Sequence, residues 1–209
     1  MLFNSRLYLV VSHEACLGQD LISVTEQAIK GGVDMVQLRE KKLTTLEFTQ
    51  TALRLKEVLD RYSIPLIVND NLDVARNCNS SGIHVGNNDM APSKIKQLWP
   101  DCGTLGYSIE YLNQLENSEI DYANYLGISP VFTTPTKTDT VTQWGIEGIK
   151  EIRKRTIKPL VAIGNINESN AYEVIKSGAD CIAVVSAICG AGNPAKAAWA
   201  IRNEIEKAL

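Results

Sequence analysis

Short apolar runs, each stopping abruptly at small, polar or charged residues, recur along the chain at 7–11, 33–38, 65–68, 83–85, 104–107, 125–128, 160–163 and 182–185. Segments with helical periodicity lie between them. Phe48, Ala52, Leu55 and Leu59 share one helical face, as do Ala171, Val174, Ile175 and Gly178, and again Ala198, Ile201 and Ile205. This alternation predicts a parallel sheet whose strands are connected through helices that pack on it. Asn167 is expected to cap the segment that follows it, while Gly32, Gly82 and Gly178 fall where helices must end in tight turns before strands. The phrases Gly32-Val33-Asp34, Gly82-Ile83-His84 and Gly178-Ala179-Asp180 read as one junction used repeatedly.

Eight strands with intervening helices predict an α/β fold, a single-domain (β/α)8 TIM barrel over residues 1–209, with short loops because about 250 residues is typical. An open doubly wound sheet is the alternative. It is weakened by Ser12-His13-Glu14, which stands after the first run where a glycine-rich phosphate turn would be needed. In a barrel the residues that follow the strands converge on the C-terminal face, so the polar stops meet in space.

Composition narrows the function classes. A net charge of −3 leaves no basic excess for coating a nucleic acid, and 209 residues at 44% hydrophobic content can bury a substantial core. The five cysteines, at 16, 78, 102, 181 and 189, show neither a zinc spacing nor a redox pair and read as thiols in a reducing compartment. The first apolar run is too short for a signal peptide or a bilayer span. The expectation is a soluble cytoplasmic protein with small-molecule substrates and neither a nucleic-acid nor a membrane partner; a homo-oligomer is left open.

Gln37-Leu38-Arg39-Glu40-Lys41 places Gln37, Arg39 and Lys41 at alternate positions at the end of the second run, so that the three point the same way. An arginine fork beside a lysine suits phosphate oxygens, although a solvated surface with exposed ion pairs explains these residues as well. Asn69-Asp70 closes the third run, and Asp89 follows the fourth through Gly86-Asn87-Asn88. Two carboxylates on adjacent strand ends suit Mg²⁺, which takes one or two carboxylates plus water and phosphate; helix capping is the competing role for Asp70. His84, inside the fourth strand, fits a hydrogen bond within the barrel better than acid–base chemistry, and His13 is undecided. Trp99 and Trp144 read as packing residues.

Taken with these motifs, the segment from Pro130 to Asp139, Ala162-Ile163-Gly164 and Val184-Val185-Ser186-Ala187-Ile188 make the chain resemble the thiamine phosphate synthase family over nearly its whole length. The resemblance implies a (β/α)8 barrel that joins hydroxymethylpyrimidine diphosphate to thiazole phosphate and releases pyrophosphate. It assigns Gln37, Leu38, Arg39, Glu40, Lys41, Asn69, Ser108 and Lys137 to the pyrimidine diphosphate, with Arg39, Lys137 and Ser108 as catalytic groups. Asp70 and Asp89 would hold Mg²⁺, and Thr134, Pro135, Thr136, Gly164, Asn165, Val185 and Ser186 would line the thiazole phosphate.

No cysteine or serine has an evident activating partner, so positioning and electrostatics are expected to do the chemistry, with pyrophosphate leaving a stabilised pyrimidine cation. The stretch 133–142 is expected to act as a lid. The chain departs from the family pattern at Gly164-Asn165, where paired glycines are usual, at Ser12-His13 for Thr-Asp, at Asn87-Asn88 for Gln-Glu, and at Ser129 for glycine. Two rival functions remain: a thiazole tautomerase on the same barrel, and a non-catalytic barrel that binds phosphate ligands.

Overall fold

Side chains along residues 7–11 alternate between two hydrophobic clusters: Leu7, Leu9 and Val11 join one, Tyr8 and Val10 the other. A strand buried on both faces has this double environment, and it explains why the apolar runs are nearly continuous. In the computed structural model, which describes residues 4–133 and 142–209, parallel strands close into a barrel in sequence order. They are β1 (Leu7–Val11), β2 (Met35–Leu38), β3 (Leu66–Asn69), β4 (Gly82–Val85), β5 (Thr104–Ile109), β6 (Tyr125–Ile128), β7 (Leu160–Ile163) and β8 (Cys181–Val184). The barrel closes where β8 pairs with β1, Tyr8 lying opposite Ala183. An open sheet is thereby excluded.

The helices that cover it are α1 (Leu21–Lys30), α2 (Thr45–Arg61), α3 (Leu72–Asn77), α4 (Pro92–Leu98), α5 (Glu119–Tyr122), α6 (Gly145–Arg155), α7 (Ala171–Lys176), α8 (Ser186–Cys189) and α9 (Pro194–Ala208), with a 3-10 turn at Leu112–Glu116. The longest, α2, starts at a capping box in which the Thr44 hydroxyl accepts from the Glu47 N–H while the Glu47 carboxylate accepts from the Thr44 N–H at 2.9 Å. Its buried face carries Phe48, Ala52, Leu55 and Leu59 as the periodicity requires. The five cysteines are all buried and unpaired. No helix among the described residues is long and apolar enough to cross a membrane.

Several boundaries differ from the sequence expectation. The helix expected after Asn167 begins only at Ala171 with Asn170 as its cap residue; Asn167 instead accepts from the Ser169 N–H at 2.9 Å, a local turn that competes with helix. Asn71, not Asp70, caps α3, its side chain accepting from the Val74 N–H. Strand β5 runs on to Ile109, so Ser108 lies within the sheet.

The repeated junction proves to be a structural clamp at the N-terminal rim, but only twice. Gly32 and Gly178 both have positive φ. The carboxylates two residues on bind the neighbouring strand: Asp34 accepts from the Leu7 N–H at 3.1 Å and Asp180 from the Leu160 N–H at 2.8 Å. Each also pairs with an arginine whose stem lies over the glycine, Arg202 for Asp34 and Arg153 for Asp180. Gly82 is different. It is the first residue of β4, and a Cβ there would lie 1.9 Å from the Thr104 carbonyl oxygen.

Candidate active site

Inside the barrel the deeper layer is apolar, with Met35, Ile67, Val161 and Cys181. Toward the C-terminal ends polar side chains take over, because the inward positions there are Gln37, Asn69, His84 and Ser108. They line a cavity of ≈ 540 Å³ that opens among the βα loops. That volume lies within the roughly 300–1,000 Å³ common for small-molecule sites.

A hydrogen-bonded chain crosses the floor of the cavity. Gln37 Nε2 donates to the Tyr8 hydroxyl at 2.9 Å, the Tyr8 and Tyr125 hydroxyls are 3.0 Å apart, and Tyr125 meets His84 Nδ1 at 2.9 Å. His84 Nε2 then reaches Ser108 Oγ at 2.8 Å. Five strands thus contribute to one network. Burial pushes both tyrosines well above the usual phenol range, so they stay protonated and serve as hydrogen-bonding groups. Room for this network comes from Gly106, where a Cβ would lie 2.2 Å from the Tyr125 ring and 2.4 Å from His84 Nδ1. His84 therefore has the internal hydrogen-bonding role expected of it. Tyr8 and Tyr125 escaped the sequence reading because they belong to apolar runs; their inward register, Tyr8 second in β1 and Tyr125 first in β6, was the available signal.

Above the floor stand the charges. Arg39 and Lys41 line the cavity with Gln37, as their alternation requires. The intervening residues do not: Leu38 is fully buried in the helix-facing core, and Glu40 is bonded to His13, its Oε1 lying 2.8 Å from the His13 N–H and 2.7 Å from Nδ1. No hydrogen bond or ion pair engages the Arg39 guanidinium among the described residues. Asn69, Asp70, Asp89, Ser108, Gly164, Asn165, Val185 and Ser186 also face the cavity. Thr134, Pro135, Thr136 and Lys137, and with them most of the expected lid, lie outside the described residues.

Asp70 and Asp89 come together where β3 and β4 end. Burial pushes the Asp70 carboxyl upward, contact with the Lys41 ammonium draws it back, and the neighbouring Asp89 carboxylate pushes it up again. Asp70 holds this position with a left-handed backbone, φ 59. Two hard oxygen donors facing a cavity fit a divalent cation that keeps water and phosphate as its other ligands. Both donors are hard carboxylate oxygens, the type that suits Mg²⁺ rather than zinc, which favours nitrogen and sulfur.

Across the barrel, Gly164 and Asn165 have φ 119 and 52. Two successive positive-φ residues make a sharp turn, and asparagine tolerates this conformation better than most residues. Gly164 is needed for a second reason, since a Cβ would approach Pro130 to 2.6 Å. Val185 is the cap residue of α8 and Ser186 its first residue, so Ser186 does not serve as the N-cap.

Comparisons with known proteins agree with this geometry. A family model described as thiamine monophosphate synthase matches residues 7–188. The thiamine-phosphate synthase of Albidiferax ferrireducens is 46% identical over 201 residues, covering 96% of this chain and 92% of the relative. That of Leptospira biflexa is 41% identical over 202 residues, covering 95% and 96%. Among solved structures, thiamine phosphate pyrophosphorylase from Pyrococcus furiosus superposes with a TM-score of 0.89 at 31% identity, covering 99% of this chain and 98% of its own. With its closed barrel, its cavity at the strand C-termini and this full-length similarity, the chain belongs to the thiamine monophosphate synthase family.

Proposed function

We propose that the protein joins hydroxymethylpyrimidine diphosphate to thiazole phosphate, giving thiamine phosphate and pyrophosphate, and that it does so with Mg²⁺. The observation that carries this reading is the facing of two different anion-binding arrangements across one cavity. Arg39, Lys41 and the Asp70–Asp89 pair stand on the β2–β4 side, and the Gly164-Asn165 and Val185-Ser186 turns on the β7–β8 side. A ligand with one phosphate needs only the second.

Asp70 and Asp89 would hold Mg²⁺, which supplies neutralisation of charge on the departing pyrophosphate. Arg39 offers its planar fork to the same oxygens, and the resemblance assigns Lys137 there too. Lys41 favours the ionised form of Asp70, opposing burial and its acidic neighbour, which together still leave the carboxyl above its ordinary value. On the cavity floor, Gln37 and the Tyr8–Tyr125–His84–Ser108 chain present fixed hydrogen-bonding groups that orient the pyrimidine ring. The apolar layer beneath excludes water from the cation that forms as pyrophosphate leaves, and the thiazole nitrogen, held from the β7–β8 side, attacks it. Fixed charges and orientation carry the step, with no covalent enzyme intermediate.

Incubation with each substrate alone and with both together tests this against its rivals. Thiamine phosphate should form only when both are present. A changed thiazole phosphate in the absence of the pyrimidine diphosphate would indicate a tautomerase, and tight binding of both substrates without product would indicate a non-catalytic barrel.

A further inference from the structure

We propose that Gln114, which lies outside the cavity, is a positioning residue that holds the Asp89 loop against the end of β5 and so sets the Mg²⁺-pyrophosphate side of the site. The proposal rests on the synthase reading above. Gln114 belongs to the 3-10 turn Leu112–Glu116 and is 8% exposed. Its side-chain oxygen accepts from two successive backbone N–H groups, Glu110 at 2.6 Å and Tyr111 at 2.8 Å. Its nitrogen donates to Asn87 Oδ1 at 2.6 Å and lies 3.4 Å from both the Tyr107 hydroxyl and the Ser108 carbonyl oxygen. One buried amide thus binds the strand segment that carries Ser108 and the loop that carries Asp89.

The loop side is equally determined. Asn87 Oδ1 also accepts from the Tyr107 hydroxyl at 2.9 Å, and Asn87 Nδ2 donates to Glu110 at 3.2 Å. Two residues further on, the Asp89 carboxylate accepts from the Gly86 N–H at 2.8 Å, closing the turn. Asn87 and Asp89 therefore belong to one short closed turn. Tyr107 on β5 and Gln114 in the 3-10 turn that follows are its anchors, and neither lines the cavity. A leucine at 114 would fill the volume, remove the acceptor of the Glu110 and Tyr111 N–H groups, and leave Asn87 Oδ1 held by the Tyr107 hydroxyl without Gln114. The loop would then lose its fixed distance from Ser108. Glutamate at 114 would keep the acceptor and lose the donor, so it should affect the Asn87 side selectively.

The test is Gln114→Leu, with Tyr107→Phe as a milder variant that removes one hydroxyl and remains informative if the first does not fold. Two quantities are read: the Mg²⁺ concentration for half-maximal rate together with both KM values, and amide hydrogen exchange in the substrate-free protein. Gln114→Leu should raise the Mg²⁺ requirement by about 10- to 100-fold, the range seen when residues supporting metal ligands are lost. KM for the pyrimidine diphosphate should rise, KM for thiazole phosphate should stay as in the wild type, and exchange should quicken at 86–91 and 108–111 but not in β7 or β8. Tyr107→Phe should move the same quantities less. An unchanged Mg²⁺ requirement in an active variant, or an equal rise of both KM values, overturns the proposal. If the wild type itself makes no product, the synthase reading fails separately, and unchanged exchange at 86–91 would then overturn the role of Gln114 as well.

Discussion

At the level of single residues, environment decides which charged or polar groups take part in the site. Leu38 and Glu40 stand between Arg39 and its alternating neighbours, yet strand geometry turns one into the core and ties the other to His13. Asp70→Asn and Asp89→Asn should each remove most Mg²⁺-dependent turnover while the melting temperature stays close to that of the wild type, because neither carboxylate supports the barrel. Calorimetry beside a rate assay checks both halves; full activity in the two variants would refute the assigned pair. Gly106→Ala should destabilise by about 1–3 kcal/mol, since the new Cβ forces Tyr125 and His84 apart in a packed interior. Urea unfolding measures that cost. Arg39, Lys41 and Asp70 were legible because charged residues at strand ends stand out in an apolar sequence. Tyr8, Tyr125 and Gln114 were not, because their roles depend on partners distant in the chain: Tyr8 and Tyr125 meet each other across 117 residues, and Gln114 meets Asn87 across 27.

At the level of elements, the two rims of the barrel have separate work. On the N-terminal rim, Asp34 and Asp180 each accept a strand N–H and pair with an arginine, joining β2 to β1 and β8 to β7. Asp34→Ala should cost about 1–3 kcal/mol, the usual loss when buried donors lose their acceptor. kcat should be unaffected, because this rim is remote from the cavity. Equilibrium unfolding and initial rates decide it, and a loss of kcat without a loss of stability would contradict the division of labour. Strands β1, β6 and β7 have the bounds of their apolar runs, and the buried faces of α2, α7 and α9 follow the periodicity. Boundaries shifted where local side-chain bonds intervened, as at Asn167, or where a glycine was required by close packing, as at Gly82.

At the level of the whole molecule, barrel closure brings the strand ends together, and the order of strands sorts them. Neighbouring strands β2 to β5 carry the cations, the paired carboxylates and Ser108, while β7 and β8 carry the two turns on the other side. The cavity floor is a property of closure alone, because Tyr8 of β1 and Tyr125 of β6 meet only across the interior. This arrangement suits the use of two phosphorylated ligands at once, as the proposed reaction requires. The most direct measurement is the joint time course of pyrophosphate and thiamine phosphate in the presence of both substrates, with Mg²⁺ and after its removal by chelation. Equal amounts of the two products should appear together, stop on chelation and resume when Mg²⁺ is restored; product formation that continues without a divalent cation, or pyrophosphate release with no thiamine phosphate, would contradict it.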